Sequence, residues 1–367
     1  MASLDRTPHV LVTGAAGYIG SALVRELLAR GHHVTAVDSM IFGDRALADL
    51  QAHPRLQIRR MDTRGLKREH LTGMQALVDL AGLSSDLAAE LDPVWTDAVN
   101  HRAQVRLAQL ARSCGVPRHI LISSCAVYGH ARTDTSAEHT PIAPLTRHAT
   151  SCAQAEAAVL PLARPGFAPT VLRLGLVFGR SARMRFDLMV NAMALSALRL
   201  RRITLDDGGQ RVRGHVHVND VVRGILATLD APMHRVSRQV FNIGHHNLRA
   251  ADVADLVRDA LGSQVQILTH GGSPDPHHHA PCHRKAAELL GYAPAVSMRQ
   301  GVDELLDALD RGSISDTPEN LATRWVHEVL ALGREAKAAL EKTAHFVPAA
   351  SHTAPRLSHE HGALRLQ

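Results

Sequence analysis

Apolar positions in the first half of the chain follow two alternating rhythms. Short apolar runs at 9–13 (HVLVT), 33–38 (HVTAVD), 56–62, 76–80 (ALVDL), 119–123 (HILIS) and 170–174 (TVLRL) read as buried strands. Helical spacing fills the gaps. Residues 21–30 (SALVRELLAR) are amphipathic and stop at Gly31, a suitable C-terminal cap, and long helices are expected over 93–114 and 150–163. This alternation predicts an α/β fold: a doubly wound parallel sheet with helices on both faces. Beyond residue 178 the rhythm loosens. Residues 180–202 are Arg-rich and expected to be largely helical, 206–209 a turn and 215–218 a short strand. Three shorter elements end near 311. Together they predict a small lobe over the C-terminal edge of the sheet. Thr317-Pro318-Glu319 opens one more helix with good capping chemistry, expected to fade by about residue 343. The stretch 347–367 is rich in His, Ser, Ala and Pro and is expected to be disordered.

Composition narrows the class. A length of 367 residues, 45% of them apolar, fits one large α/β domain with a second, smaller lobe. No stretch approaches the roughly 20 consecutive apolar residues of a membrane span. Residues 1–8 carry charge and no apolar core of the secretory kind, so no membrane partner and no export signal are expected. The four cysteines, Cys114, Cys125, Cys152 and Cys282, show neither disulfide nor zinc-ribbon spacing, which suits a reduced, cytoplasmic protein. Lys and Arg outnumber Asp and Glu by 41 to 35, a balance suited to anionic ligands. Without an aromatic-interleaved basic stripe, nucleic acid is not an expected partner. The run His277-His278-His279 lacks partner ligands at a recognisable spacing, so a solvated loop and no metal are expected there.

The strongest chemical signal is Thr13-Gly14-Ala15-Ala16-Gly17-Tyr18-Ile19-Gly20, set between a buried strand and an amphipathic helix. Gly14 permits the tight turn. Gly17 lets the backbone approach a pyrophosphate, and Gly20 lets the helix pack close to the strand. The helix N-terminus then offers unpaired N–H groups and a positive dipole end, with Tyr18 and Ile19 in its first turn. Asp38 ends the second strand, 24 residues after Gly14. A carboxylate there accepts from both ribose hydroxyls of NAD and repels the 2′-phosphate of NADP; its competing role is to cap the next helix. The expected organisation is an NAD-binding Rossmann domain over 8–178, a mainly substrate-binding lobe over 179–311, a C-terminal helix over 312–343 and a tail over 344–367.

The glycine spacing resembles the TGxxGxxG loop of extended short-chain dehydrogenases/reductases, in their nucleotide-sugar epimerase/dehydratase branch, and the likeness runs over residues 8–311. Asp62-Thr63-Arg64 is similar to the segment whose acid reads the adenine amine. Leu80-Ala81-Gly82 is similar to the loop that lies along the dinucleotide, and Asn100 to a structural asparagine of the long helix. Ser123-Ser124-Cys125-Ala126-Val127-Tyr128-Gly129 resembles the family's SSxxVYG segment. In the lobe, residues 183–191 (RMRFDLMVN), Arg213 with His217-Val218-Asn219-Asp220, Phe241-Asn242-Ile243-Gly244, and Lys285 followed by Leu290-Gly291-Tyr292 match as well. The resemblance implies NAD as cofactor and a nucleotide sugar or related anion as substrate. It implies substrate contacts from Ser84, Asn191, Arg213 and Lys285. Asn191 and Arg213 would face the diphosphate, which a guanidinium grips with two parallel bonds. It also implies a homodimer through the helices at 93–114 and 150–163. His277, after Asp275, stands where relatives carry a diphosphate-binding arginine.

The chain departs from the family where the chemistry should be. Relatives use a Ser or Thr to orient the sugar hydroxyl, a Tyr to move the proton, and a Lys four residues later to hold the nicotinamide ribose and lower the Tyr pKa. Ser124 fits the first role. Counting back from Glu156, which matches the family's glutamate, puts His148 at the Tyr position and Cys152 at the Lys position. None of the three tyrosines, Tyr18, Tyr128 and Tyr292, has Lys four residues on. Three readings follow. His148 replaces the tyrosine as acid/base, its pKa near 6.5 needing no lysine. Or the protein binds the dinucleotide or nucleotide sugar without hydride chemistry, as a regulator or partner subunit. Or His148, Cys152 and Cys125 hold a metal. The first is carried forward with the second as its alternative. Asp86 is read as a helix cap with general base as its other role, and Cys125 as a buried small residue.

Overall fold

The computed structural model describes residues 8–331 except 131–134 and 272–277. His277 and everything beyond 331, where the sequence predicts the end of the last helix and a tail, lie outside the described residues. Among the described residues twelve strands form: β1 (His9–Thr13), β2 (His33–Asp38), β3 (Leu56–Arg60), β4 (Ala76–Asp79), β5 (Arg118–Ser124), β6 (Ala168–Leu174), β7 (Leu176–Phe178), β8 (Arg202–Asp206), β9 (Val212–His217), β10 (Gln239–Ile243), β11 (His246–Arg249) and β12 (Gln266–His270). The helices are α1 (Tyr18–Ala29), α2 (Arg68–Leu71), α3 (Asp86–Leu91), α4 (Pro93–Asp97), α5 (Gln104–Ser113), α6 (Arg147–Val159), α7 (Met189–Leu200), α8 (Val218–Asp230), α9 (Met233–Val236), α10 (Ala250–Leu261), α11 (Arg284–Leu290), α12 (Met298–Asp310) and α13 (Ala322–Ala331).

The main sheet has seven strands in the order β10-β6-β5-β4-β1-β2-β3, every pair parallel. Its central strands are apolar on both faces because helices cover both: β4 and β6 are buried along their whole length. Strand order reverses between β1 and β4, which opens a crevice at their C-terminal ends. One core packs α1 and α8 against the sheet through Leu23, Leu27, Val78, Val221 and Ile225. On the other face, Leu107 and Ala111 of α5 meet Leu11, Leu77 and Phe167. The lobe has its own core, where Val190 and Ala194 of α7, Val253 and Val257 of α10, and Val302 and Leu305 of α12 come together. Two small sheets, β11-β9-β7 and β12-β8, complete it.

Four elements differ from the sequence expectation. The 93–114 helix is continuous but carries a wider π-helical turn over Ala98–Ala103, which presents Asn100 inward. The next helix starts at Arg147, three residues early, because the Thr146 hydroxyl caps it by accepting from the Ala149 N–H at 3.3 Å. Residues 181–188 are not helical. Arg183 and Arg185 are drawn into the interior there, and α7 begins only at Met189. Phe241-Asn242-Ile243 turns back from the lobe region as β10, the edge strand of the main sheet beside β6.

Candidate active site

The glycine loop folds as its residue types require. Gly14 has φ +65°, and a Cβ on it would stand 2.7 Å from the Leu80 carbonyl oxygen. A Cβ on Gly20 would run into the Gly14 carbonyl and stand 2.8 Å from Ala15 Cα. The first turn of α1 is therefore pressed against the Gly14–Ala15 backbone. That is a cradle fit for a pyrophosphate. Beside it, the Asp38 carboxylate accepts from the N–H groups of Ala16 at 3.0 Å and Met40 at 2.8 Å. Burial pushes its pKa up, while those two N–H groups and the Arg183 charge pull it back. Asp38 thus ties the glycine loop to the turn after β2, rather than capping a helix.

The loop after β4 closes the other side. Thr13 Oγ1 donates to Asp79 Oδ1 at 2.6 Å and accepts from the N–H groups of Leu80 and Ala81, each at 3.2 Å. Asn100 holds Leu83 at both backbone atoms, at 2.7 and 2.9 Å, and Gln104 Nε2 donates to Ala81 O at 3.1 Å. Leu80, Ala81 and Gly82 line the crevice because these partners fix their backbone. Asp62 caps the turn holding Thr63, and Arg64 grips both its oxygens, at 3.0 and 2.7 Å.

A buried polar network ties the remaining motif residues together. Glu156 of α6 accepts the Ser123 hydroxyl at 2.5 Å and the Arg173 guanidinium at 2.6 to 3.1 Å. Arg173 also donates to Tyr128 Oη at 3.0 Å, and Tyr128 donates to Asn242 Oδ1 at 2.8 Å. SSxxVYG, the glutamate and the FNIG segment are one assembly. In front of it, the Ser124 hydroxyl accepts from the Ala126 N–H at 3.1 Å. Cys152 is buried against Ser123 and Ser124, with its Sγ 3.8 Å from His148 Nε2. Burial and the Glu156 charge push the Cys152 thiol up to about 12, and burial raises the Cys125 thiol as well. Cys152 therefore stands as a neutral thiol and supplies no base at neutral pH. Among the described residues no group of three His, Cys, Asp or Glu is placed to hold a metal ion. Asp86 lies in the first turn of α3, which Ser85 caps, and its carboxylate accepts the Thr146 hydroxyl at 2.6 Å.

Several expected contacts are spent internally. The side chain of Tyr18 turns to the lobe: its hydroxyl donates to Gly179 O at 2.6 Å and accepts from Asn191 Nδ2 at 3.1 Å. Only its backbone remains at the glycine loop. Asn191 is fully buried and also holds Gly179 N–H and Arg185 O, so its amide fastens the lobe to α1 instead of pointing at a diphosphate. Lys285 donates to Val240 O at 2.8 Å and stacks over Phe241, stapling β10 rather than reaching the crevice. Ser84 accepts from Arg185 Nη1 at 2.6 Å. Arg213 stands half-buried on β9 beside His279. Sequence reasoning missed the tasks of Arg183 and Arg185. It also missed residues 317–331 as a strap across the crevice mouth, where the Trp325 indole N–H donates to Ile41 O at 2.6 Å. The clustered arginines of 183–185 were a signal, read as helix.

A doubly wound parallel sheet with a glycine cradle and a strand-end acid defines a Rossmann-type dinucleotide-binding protein. Residues 10–244 match the model of the NAD dependent epimerase/dehydratase family, and the chain belongs to that family. It is 30% identical over 310 residues to a dTDP-glucose 4,6-dehydratase of Streptomyces griseus, covering 81% of this chain and 92% of that protein. It is 26% identical to UDP-glucuronic acid decarboxylase 1 of Xenopus tropicalis, covering 81% and 71%. Among solved structures, MoeE5 in complex with UDP-glucuronic acid and NAD superposes with a TM-score of 0.73 at 27% identity, covering 83% of this chain and 99% of that one. DesIV, a dTDP-glucose 4,6-dehydratase from Streptomyces venezuelae with NAD bound, gives 0.72 at 26% identity, covering 89% and 99%. No helix among the described residues is long and apolar enough to cross a membrane.

Proposed function

We propose that this protein is an NAD-dependent epimerase or dehydratase of a nucleotide-linked sugar in which His148 carries the proton. The observation behind this is the pairing of an intact cradle, Gly14 and Gly20 packed without room for a Cβ, with His148 one helical turn from Cys152 and Ser124 at the end of β5. NAD, when bound, supplies a reversible hydride acceptor. The chain does the rest. Gly14 and Gly20 shape the cradle, and the backbone of Gly17, Tyr18 and Ile19 would hold the pyrophosphate. Asp38 grips the adenosine ribose, Asp62 and Thr63 face the adenine, and Leu80, Ala81 and Gly82 lie along the dinucleotide. Ser124 orients the sugar hydroxyl, and His148 takes its proton as a neutral imidazole. Cys152 fills the lysine position without charge, so the proton transfer rests on imidazole basicity alone. On the substrate side, Arg213 of β9 is suited to a diphosphate, while Ser84 is engaged by Arg185.

The names of the relatives support a nucleoside diphosphate sugar as substrate. Homodimerisation through α5 and α6 in the cytoplasm belongs to the same reading. The exposed Leu87, Leu91 and Val94 on the neighbouring α3–α4 stretch add apolar surface there. The test is incubation with UDP-, GDP-, CDP- and dTDP-sugars followed by NMR. Conversion of one of them is expected, and both His148→Ala and His148→Phe should abolish it. Activity surviving either change removes His148 from the mechanism. NAD binding with no conversion of any sugar moves the protein to the alternative, a binding protein that regulates or assists another enzyme.

A further inference from the structure

Arg183 is a buried cation that the reading above leaves unused. It sits on the stretch between β7 and α7, whose start is fastened to α1: Ser181 Oγ donates to Tyr18 O at 2.6 Å and lies 3.0 Å from Ser21 Oγ. Two residues beyond it, Arg185 pairs with Asp187 and donates to Ser84. Arg183 itself is 8% exposed. Its guanidinium carbon stands 4.1 Å from the centre of the Phe42 ring, and one amino group donates to Glu319 O at 3.0 Å. Its Nε–H is buried with no acceptor among the described residues. Asp38, Asp187 and Glu319 act on it only through longer-range charge, while burial and the like charge of Arg185 pull its pKa down to about 10. A buried guanidinium with an unfilled donor and a like-charged neighbour is costly unless an anion completes its shell.

Its place says which anion. Arg183 is held between the first turn of α1, where the fold receives a pyrophosphate, and the Asp38–Phe42 turn, where it receives the adenosine ribose. The stretch of dinucleotide between those points is the adenylate phosphate. The strap, residues 317–331, fixes the arginine there. Besides the Glu319 carbonyl, Asn320 O accepts from the Phe186 N–H at 2.8 Å, and Thr323 Oγ1 meets Ser85 Oγ at 2.9 Å. Fully buried Val326 packs with Leu83, Ala88 and Trp95. The strap thus touches the turn after β2, the loop after β4 and the lobe stretch at 183–186, three segments that surround the crevice. It lies beyond residues 10–244, the part that matches the family.

We propose that Arg183 is a further cofactor ligand, donated by the lobe to the adenylate phosphate of NAD and held in place by the C-terminal strap. The proposal rests on the cofactor reading above, and its test separates the two. Calorimetry on nucleotide-free protein with adenosine, ADP and NAD compares wild type with Arg183→Gln. Loss of a charge-assisted bond is expected to weaken ADP and NAD by about ten- to hundredfold while adenosine changes less than about twofold. Arg183→Lys, which keeps the charge and loses the fork, should fall between. Trp325→Ala, which loosens the strap without touching a charge, should speed NAD dissociation by about tenfold in stopped flow. Equal ADP and NAD affinities in wild type and Arg183→Gln would overturn the proposal. So would an equal loss for adenosine, which would place the effect on Asp38 and the ribose. If Arg183→Gln fails to fold, the lysine and Trp325 variants decide: an unchanged ADP affinity in the first, or an unchanged dissociation rate in the second, rejects it. Wild-type protein that takes up none of the three ligands would instead refute the cofactor reading itself.

Discussion

Glu156→Gln is the sharpest test of the assembly behind the active site. Glu156 is 3% exposed, and its two oxygens take three contacts from Arg173 and one from the Ser123 hydroxyl. Glutamine keeps the volume but removes the charge, and it turns an amide N–H toward a guanidinium that only donates. Arg173 is 5% exposed. Its remaining partners, Tyr128 Oη at 3.0 Å and Glu138 O at 3.5 Å, are neutral. Burial alone would lower the Arg173 pKa; the hydrogen bonds and charge of Glu156 hold it above the usual value. Removing one partner of such a pair costs about 3–5 kcal/mol, because the other charge stays buried and unmatched. At roughly 2–4 °C per kcal/mol for a chain of this order, Tm should fall by about 6–20 °C in a calorimetric scan. Glu156→Leu with Arg173→Met should recover most of the loss, since it removes both charges from the interior. A loss under about 1 kcal/mol for Glu156→Gln would refute the reasoning, because it would mean water already reaches Arg173.

Four further outcomes follow from the same geometry. Gly20→Ala should lower stability by about 1–3 kcal/mol and weaken NAD uptake, since the new methyl meets backbone rather than a side chain; equal Tm and equal NAD affinity in calorimetry would remove the close-packing argument. Asp38→Asn should weaken NAD and improve NADP, and titration showing NADP already tighter in wild type would refute the ribose role. Cys152, its folded pKa raised to about 12, should resist alkylation at pH 8 until the chain unfolds; it favours the protonated form, so the stability it contributes is full below the unfolded thiol pKa and is lost as pH rises toward 12. His215 is fully buried, and burial with the Arg213 charge lowers its pKa to about 3. Its contribution is full above the unfolded value near 6.5 and is lost as pH falls from there toward 3, so His215→Phe should flatten the acid side of a Tm-versus-pH curve.

Much of the molecule was legible without coordinates. Strands alternate with helices because a parallel sheet covered on both sides demands apolar runs, and runs such as TVLRL carry that demand locally. The places of Gly14, Gly20 and Asp38 could be read because a backbone angle, a missing Cβ and a strand end are all properties of neighbours in sequence. That none of the three tyrosines has Lys four residues on was likewise a matter of spacing along the chain.

The partners of Asn191, Lys285 and Tyr18 were not legible. Each is polar and falls in a motif, and sequence spacing cannot say whether a polar group faces a ligand or satisfies a buried backbone atom. That depends on which distant segment packs over it: Gly179 for Tyr18, Val240 for Lys285. The strap was hidden for the same reason, since Trp325 and Ile41 lie 284 residues apart. Sequence alone determined the sheet, the glycine cradle and the loss of the usual proton-transfer pair, because local chain geometry and helical spacing carry them. Only the tertiary structure decided which polar side chains are consumed in holding the two lobes together and which, like Arg183, keep a buried donor without a partner among the described residues, because burial and pairing are properties of the packed whole.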